Sequence, residues 1–311
     1  MSKTALLFAG QGAQTVGMGR DLAGQFPAAR DWFDRANAAL GYDLAALCFD
    51  GPEPELTKTE HAQPGIYLVG WVAFRLLLER AASLRFEAVA GLSLGEFTAL
   101  AAAGVLDFED GLRLVRARGR FMQDACDATR GAMAAVIGLE EQPTREVCEQ
   151  AGVQLANLNC PGQLVISGEA DRITHAGELA RQAGAKRVVP LPVAGAYHSP
   201  LMRDAAPRLE AELERIQVRV PSVTVLANVT GQPHGEPASI CRRLVEQVTA
   251  PVLWERGIRH LLANGFTRFI ELGPGKALSG FMKRIDRQAD VLNVGDVDSL
   301  AETVRALGGP A

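Results

Sequence analysis

A serine lies at the centre of the sequence pattern in this chain that most clearly suggests chemistry, Gly91-Leu92-Ser93-Leu94-Gly95. The run 86–91 before it predicts a strand, and the residues from Leu94 onward predict a helix. A G-x-S-x-G sequence between a strand and a helix is typical of a nucleophile elbow, a sharp turn that exposes the serine hydroxyl at a helix N-terminus. The alternative is that Ser93 is simply the N-cap of the helix.

A serine hydroxyl is a poor nucleophile unless a base takes its proton, and histidine is the usual base. Among five histidines, His198 follows a predicted strand through a glycine-containing loop and precedes Ser199-Pro200, a typical N-cap and N1 pair. Loops that end at a helix start are where rigid scaffolds hold catalytic groups. His198 is therefore the favoured base. Surface or capping roles suit the four remaining alternatives, which are His61, His175, His234 and His260.

One of four arginines on the predicted helix 108–126 differs from the others in its helical phase. Arg113, Arg116 and Arg120 project to one side, whereas Arg118 falls on the apolar side. A buried arginine needs an anion or strong acceptors, because an unpaired buried charge is very costly. The anion is either a protein carboxylate in an internal ion pair or a substrate carboxylate held by a bidentate clamp.

Two glycine-rich turns are further candidates for site elements. Residues 9–14 (AGQGAQ) follow the first predicted strand but lack the Lys-Ser/Thr of a P-loop and the third glycine of a dinucleotide fingerprint. Such a loop can present backbone N–H groups to a developing oxyanion, although an ordinary strand-to-helix turn explains it equally well. Residues 271–275 (ELGPG) are interpreted first as a turn.

The elements that must position these residues alternate between short β-rich runs and longer helical stretches, which is typical of an α/β fold with a mostly parallel sheet. Residues 131–193 depart from this pattern and predict the order βαββαβ, a ferredoxin-like unit. Because the first pattern then resumes, we expect an inserted ferredoxin-like subdomain at 129–194 and a large α/β domain formed by 1–128 and 195–311. The predicted strands are 4–8, 86–91, 132–138, 154–159, 163–167, 186–192, 223–228 and 268–271. The predicted helices are 19–40, 64–83, one from 94, 108–126, 142–151, 170–183, 200–216, 238–248 and 252–264.

Composition narrows the classes of function. The 311 residues carry a net charge of −4 with mixed signs, so we expect no basic face and no nucleic-acid partner. No signal peptide and no apolar run long enough to span a membrane is found. The five cysteines are odd in number and lack metal-binding spacing, so neither a disulfide framework nor a zinc site is expected. A cytoplasmic protein fits these observations best.

Several ordered segments together resemble the malonyl-CoA:acyl carrier protein transacylase family over essentially the whole chain. They are residues 8–14 (FAGQGAQ), 91–96 (GLSLGE), 118–123 (RGRFMQ), 159–163 (NCPGQ), 197–202 (YHSPLM) and 271–275 (ELGPG). The resemblance implies a hydrolase-like α/β domain with an inserted ferredoxin-like subdomain, in agreement with the order of the predicted elements. It also implies that Ser93 and His198 form a catalytic dyad, that the backbone N–H groups of Gln11 and Leu94 form an oxyanion hole, and that Arg118 grips malonate.

Further positions match the family less directly. In the family a main-chain carbonyl orients the catalytic histidine, and the matching position is around Gln247. Asn159 matches an asparagine near the mouth of the active site. Many members have histidine where this chain has Leu92, so no function is transferred there. Phenylalanine commonly precedes the catalytic histidine in malonyl-selective members, and the aromatic ring of Tyr197 should still exclude a 2-methyl branch.

The activity implied by the resemblance is ping-pong transfer of a malonyl group from malonyl-CoA to the phosphopantetheine thiol of an acyl carrier protein, for fatty-acid or polyketide synthesis. It implies no metal or redox cofactor, and we expect a monomer. One alternative is an acyl hydrolase that edits stalled carriers, which would have no use for a carboxylate clamp. Another is a catalytically silent docking subunit, which would not need the serine and histidine.

Overall fold

The computed structural model describes residues 3–309, in which strands and helices alternate. The strands are β1 (Lys3–Phe8), β2 (Ala88–Gly91), β3 (Gly131–Ile137), β4 (Gln154–Cys160), β5 (Gln163–Glu169), β6 (Arg187–Pro190), β7 (Thr224–Ala227), β8 (Gln232–Pro233), β9 (Phe266–Leu272) and β10 (Asp290–Val294). The helices are α1 (Arg20–Gln25), α2 (Pro27–Leu40), α3 (Leu44–Asp50), α4 (Glu53–Thr57), α5 (Thr59–Arg80), α6 (Gly95–Ala102), α7 (Phe108–Ala128), α8 (Glu141–Ala151), α9 (Ala170–Gln182), α10 (Ala205–Leu213), α11 (Pro237–Gln247), α12 (Trp254–Ala263), α13 (Ala277–Ile285) and α14 (Val297–Ala306).

The larger of two sheets has the strand order β10-β9-β1-β2-β7-β8, with every pair parallel except β7 and β8. Its central strand β1 is buried on both faces: Leu6 and Phe8 pack into one apolar cluster, and Ala5 and Leu7 into the other. Near-continuous apolar strands of this kind are typical of parallel sheets covered by helices. The carboxyl ends of β1, β2 and β9 meet at one edge, where open α/β sheets bind their ligands.

The smaller sheet is antiparallel, with the strand order β4-β5-β3-β6. Its elements follow one another as βαββαβ, as the sequence predicts. Successive side chains of a strand point to opposite faces. On β3, Ala134 and Val136 therefore pack with α8 and α9, while Met133 and Ala135 face a cavity at the edge of the larger sheet. The smaller sheet thus has one face in its own core and one face that closes the cavity.

The predicted fold class, a hydrolase-like α/β domain with a ferredoxin-like insertion, is confirmed. The domain limits at 128/129 and 194/195 stay a prediction, and residues 1, 2, 310 and 311 lie outside the described residues. Within the described part of the chain, no helix is both long and apolar enough to cross a membrane.

Several predicted elements differ from those observed. The predicted helix 19–40 is two helices, because Phe26 precedes Pro27 and adopts an extended backbone. The predicted helix 200–216 begins as a short 3-10 turn, Pro200–Met202, before α10. The predicted helix 64–83 starts earlier, at Thr59. The sequence patterns predict no element beyond residue 271, where the structure has α13, β10 and α14. β10 is a half-buried edge strand without a long apolar run, so its pattern is weak.

The turn between β2 and α6 depends on two close backbone approaches. A Cβ added at Gly95 would lie 2.2 Å from the carbonyl oxygen of Phe8, and one at Gly91 would lie 1.9 Å from the carbonyl carbon of Gly95. Both distances are far below van der Waals contact with backbone atoms that cannot move aside. Only glycine fits at either position, which explains the spacing of the two glycines around Ser93.

We expect Gly95→Ala to lower the free energy of unfolding by about 1–3 kcal/mol, because the new methyl group overpacks a rigid backbone. Urea denaturation measures this change. Gly280→Ala is the matched control, since Gly280 lies inside α13 and an added Cβ has no atom within 4 Å. That variant should be unchanged or more stable by up to about 1 kcal/mol. Equal losses in the two variants would contradict this account of the turn.

Candidate active site

Ser93 occupies the sharp turn between β2 and α6 with a φ of 53°, in the left-handed region that non-glycine residues seldom adopt. Side chains from distant segments hold this conformation. The Ser93 N–H donates to Asn228 Oδ1 at 2.6 Å, and Asn228 Nδ2 donates to the carbonyl oxygen of Gly91 at 2.8 Å. The N-cap position of α6 is Leu94, and no side chain caps the helix there. The Ser93 hydroxyl is therefore not used as a helix cap and points toward His198.

His198 is placed to act as a base for Ser93. Its Nε2 lies 2.8 Å from Ser93 Oγ, and its Nδ1 lies 2.9 Å from the carbonyl oxygen of Gln247. A proton on Nδ1 satisfies the carbonyl and leaves Nε2 free to accept the serine proton. Burial, reinforced by the positive charge of Arg118, lowers the pKa of His198 to about 4. The imidazole is therefore neutral at pH 7, the state a base requires.

Arg118 faces inward from α7 and is 1% exposed, whereas Arg113, Arg116 and Arg120 are exposed, as the helical phase predicts. Its Nη1 donates to Gln63 Oε1 at 2.6 Å. Its Nη2 donates to Gln247 Oε1 at 2.9 Å and to Ser93 Oγ at 3.2 Å.

All these partners of Arg118 are neutral. Within residues 3–309 no carboxylate lies at ion-pair distance from the guanidinium, so the internal ion pair considered as an alternative is not formed. Burial lowers the pKa of Arg118 to about 10, an effect that the negative charge of Glu96 opposes. At neutral pH the side chain is therefore a buried cation beside the nucleophile.

Gln11 lies in the loop after β1 and lines the cavity. The backbone N–H groups of Gln11 and Leu94 have no hydrogen-bond acceptor in the described part of the chain. The Gln11 side chain is held in place, because its Oε1 accepts a hydrogen bond from Thr59 Oγ1 at 2.8 Å and its Nε2 donates to the Tyr197 hydroxyl at 3.4 Å. Burial raises the pKa of Tyr197 far above its usual value, so the hydroxyl keeps its proton.

Asn159 and Leu92 also line this cavity of about 260 Å³, whereas Leu94, Gln247 and the turn 271–275 are not part of its lining. Asn159 is 6% exposed, and its Oδ1 has no partner among residues 3–309. Leu92 is partly buried and packs against an apolar cluster, a scaffolding contact. The large apolar side chains of the lining belong to Met122, Met133, Val165, Leu191, Val193 and Phe281. Among the described residues, no three His, Cys, Asp or Glu side chains converge as metal ligands.

Sequence reasoning missed the polar residues that support this site. Gln63 is fully buried in α5, where a glutamine among apolar neighbours is the signal that could have identified it. Asn228 follows the carboxyl end of β7, another recognisable position. The predicted surface or capping role of His234 is wrong: its side chain is 0% exposed and its Nε2 lies 2.7 Å from Glu96 Oε1. The burial of His234 comes from tertiary packing that its Gly/Pro-rich loop does not reveal.

Taken together, the site brings a serine hydroxyl close to a neutral imidazole, a buried cation and two backbone N–H groups that have no acceptor among the described residues. That set is suited to acyl transfer through a covalent serine ester when the acyl group carries an anionic end.

Comparisons with known proteins agree with this geometry. A family model described as acyl transferase domain matches residues 5–299. The malonyl CoA-acyl carrier protein transacylase of Bacillus subtilis (strain 168) is 44% identical over 312 residues, which cover 99% of this chain and 98% of that protein. The structure of an acyl carrier protein S-malonyltransferase from Vibrio cholerae has a TM-score of 0.93 at 40% identity and covers 97% of this chain and 100% of its own.

A third comparison includes a carrier. In the structure of a type II polyketide acyl-carrier protein, AntF, in complex with its malonyl-transacylase, PlMCAT, the matching chain has a TM-score of 0.95 at 37% identity. The match covers 98% of this chain and 100% of that chain. Since all these matches extend over nearly the full length of both partners, this chain belongs to the acyl transferase family, among the malonyl-CoA:acyl carrier protein transacylases.

Proposed function

We propose that this protein moves a malonyl group from malonyl-CoA to the phosphopantetheine thiol of an acyl carrier protein, which supplies extender units for fatty-acid or polyketide synthesis. The observation that carries the proposal is the position of Arg118, a buried cation that pairs with no carboxylate among residues 3–309 and whose Nη2 lies 3.2 Å from Ser93 Oγ. In a malonyl ester of Ser93, only the carbonyl carbon and one methylene separate Oγ from the free carboxylate. The guanidinium is therefore within reach of that carboxylate and can bind it through two charge-assisted hydrogen bonds.

The mechanism is ping-pong. His198 Nε2 takes the proton of the Ser93 hydroxyl. The Oγ atom then attacks the thioester carbonyl carbon of malonyl-CoA. The backbone N–H groups of Gln11 and Leu94 stabilise the oxyanion of the tetrahedral intermediate. The carbon–sulfur bond then breaks, and the thiol of coenzyme A leaves with the proton from His198. The malonyl group stays on Ser93 as an ester.

The second half-reaction repeats these steps in the reverse order, with the thiol of the carrier protein in place of coenzyme A. The phosphopantetheine thiol of the carrier gives its proton to His198 and attacks the ester carbonyl carbon, and Ser93 leaves with that proton. The carbonyl of Gln247 keeps the imidazole in the required tautomer throughout. Tyr197 and Asn159 contact the substrate from the cavity wall. No step of this scheme uses a metal or a redox cofactor.

The two alternatives fit the site less well. A hydrolase that edits stalled carriers would have no use for a buried cation beside the nucleophile, because its acyl groups carry no charge there. A silent docking subunit would not need a serine hydroxyl 2.8 Å from a neutral imidazole.

We expect Ser93→Ala to lose all covalent malonyl loading while folding normally, because the substitution deletes the attacking oxygen and little volume. Radiolabelled malonyl-CoA followed by intact-protein mass spectrometry measures loading. Wild-type protein should hold the label until a carrier protein is added, and the carrier should then receive it. Label released to water would indicate the hydrolase, and an unlabelled wild type would indicate the docking subunit. Wild-type loading of Ser93→Ala would refute the assignment of the nucleophile.

We expect Arg118→Ala to lower kcat/KM for malonyl transfer at least about thirtyfold, since losing a buried charged contact costs about 2–5 kcal/mol. Acetyl transfer should not fall, because acetyl-CoA has no carboxylate. Arg120→Ala, an exposed arginine on the same helix, is the control and should change neither rate. Both transfers are measured with the same carrier, together with Tm. An equal loss for malonyl and acetyl would show that Arg118 is not a carboxylate clamp.

The depressed pKa of His198 predicts a pH dependence. The unfolded chain binds this proton near pH 6.5, but the folded protein binds it only near pH 4. The unfolded state therefore holds more protons between these values, so the contribution of His198 to stability is present above about pH 6.5 and is lost as pH falls toward 4.

The rate of malonyl loading should accordingly fall to half its maximum near pH 4, where His198 becomes protonated. Single-turnover loading is measured from about pH 7 down to about pH 4, with circular dichroism at each pH to verify folding. A half-maximal rate near pH 6.5 in folded protein would contradict the assigned environment of the base.

A further inference from the structure

A buried carboxylate lies directly behind the catalytic turn. Glu96, in the first turn of α6, is 1% exposed. Its Oε2 accepts hydrogen bonds from Gln247 Nε2 at 2.7 Å and from the backbone N–H of Asn228 at 3.0 Å, and its Oε1 lies 2.7 Å from His234 Nε2. Oε2 therefore acts as an acceptor for two N–H groups at the start of α6.

The geometry at His234 indicates where the charge lies. His234 Nδ1 is buried and has no partner among the described residues. A single proton on Nε2 supplies the hydrogen bond to Glu96 and leaves Nδ1 without a proton, whereas a doubly protonated ring would bury an N–H group with no acceptor. His234 is therefore a neutral donor, and Glu96 retains a net negative charge.

Gln247 connects this negative charge to the cation of Arg118. Its amide oxygen accepts from Arg118 Nη2 at 2.9 Å, and its amide nitrogen donates to Glu96 Oε2 at 2.7 Å. The amide is fully buried, with its positive end toward the carboxylate and its negative end toward the guanidinium. Two opposite buried charges thus face each other across one oriented dipole.

We propose that Glu96 is the counter-charge of Arg118 in the unloaded protein, with Gln247 as the bridging amide and His234 as the donor that holds the carboxylate in place. An uncompensated buried cation would be strongly destabilising, and a carboxylate in direct contact would occupy the guanidinium. The bridged arrangement stabilises Arg118 and leaves it accessible to a ligand carboxylate. Glu96 acts through Gln247 and is a positioning residue.

A double-mutant cycle on stability tests the counter-charge without any substrate. Glu96→Gln removes the charge and keeps an amide oxygen that can accept from Gln247 and from the backbone N–H of Asn228. Its new amide nitrogen requires His234 to accept through Nε2, which leaves a buried N–H group at Nδ1 without an acceptor. That cost is the same in the single and in the double variant, so it cancels in the cycle. Arg118→Met removes the cation with little change in length. We expect each single variant to be less stable, because each leaves a buried charge unbalanced. If the two substitutions acted independently, their effects on the unfolding equilibrium constant would multiply. We expect the unfolding equilibrium constant of the double variant to be at least about tenfold smaller than this product predicts.

The control cycle pairs Glu96→Gln with Arg120→Met, an exposed arginine on the same helix. In this control cycle the unfolding equilibrium constant of the double variant should differ from the product of the two single effects by less than about twofold. A deviation this small in the Arg118 cycle would overturn the proposal.

The role in ligand binding rests on the proposed function and has its own readout. In Glu96→Gln a malonyl ester on Ser93 would supply the missing negative charge, so malonyl loading should raise Tm more in this variant than in wild type. Acetyl loading should raise Tm equally in both. An equal rise in Tm on malonyl loading in the two proteins would contradict the counter-charge role of Glu96. Failure of the wild-type protein to load malonyl at all would refute the proposed function instead. The stability cycle would still test the charge pair in that case.

Discussion

The left-handed backbone of Ser93 is the constraint on which the site depends. A non-glycine residue in this region costs on the order of 1–3 kcal/mol and persists only where its surroundings enforce it. Here both backbone polar groups of Ser93 are bound by side chains from other parts of the chain: Asn228 accepts from its N–H, and Gln247 donates to its carbonyl at 3.1 Å. His198, the proposed base, is the other non-glycine residue described with a positive φ, at 58°. The side chains of Ser93 and His198 are thus both oriented by a locally unfavourable backbone conformation.

Gln247 joins the three requirements of the site in one residue. Its carbonyl receives His198 Nδ1, its amide nitrogen holds the Ser93 carbonyl, and its amide oxygen binds Arg118. Because Gln247 ends α11, the proposed base, the proposed nucleophile and the cation of Arg118 are all held by a single helix terminus. Movement of this terminus would change all three together. The amide is fully buried, and its hydrogen bonds to Arg118, Ser93 and Glu96 compensate for the loss of water.

The sequence could predict what local patterns encode. The spacing of Gly91 and Gly95 reflects a sharp turn in which backbone atoms only a few residues apart come into close contact. The inward direction of Arg118 follows from the 3.6-residue period of its helix alone. The contacts of Glu96 and His234 could not be predicted, because these residues lie 138 positions apart and the loop around His234 is polar and glycine-rich. Burial there results from the way β7 and β8 bring that loop over α6, a tertiary effect with no periodic signal. Similarly, β10 shows only a weak hydrophobic pattern, because it lies at the edge of the sheet and most of its residues are only half-buried.

The two-faced smaller sheet has a consequence for how this protein can change over generations. On β5, Val165 faces the cavity while its neighbours Leu164 and Ile166 pack under the helices of the same subdomain. Substitutions at alternate positions of this strand therefore act on different parts of the protein. A change at Val165 alters the shape of the cavity and the main apolar core, whereas a change at Leu164 or Ile166 alters the packing inside the smaller subdomain. Ser93, His198 and Arg118 lie outside the smaller sheet and are not altered directly by either kind of change.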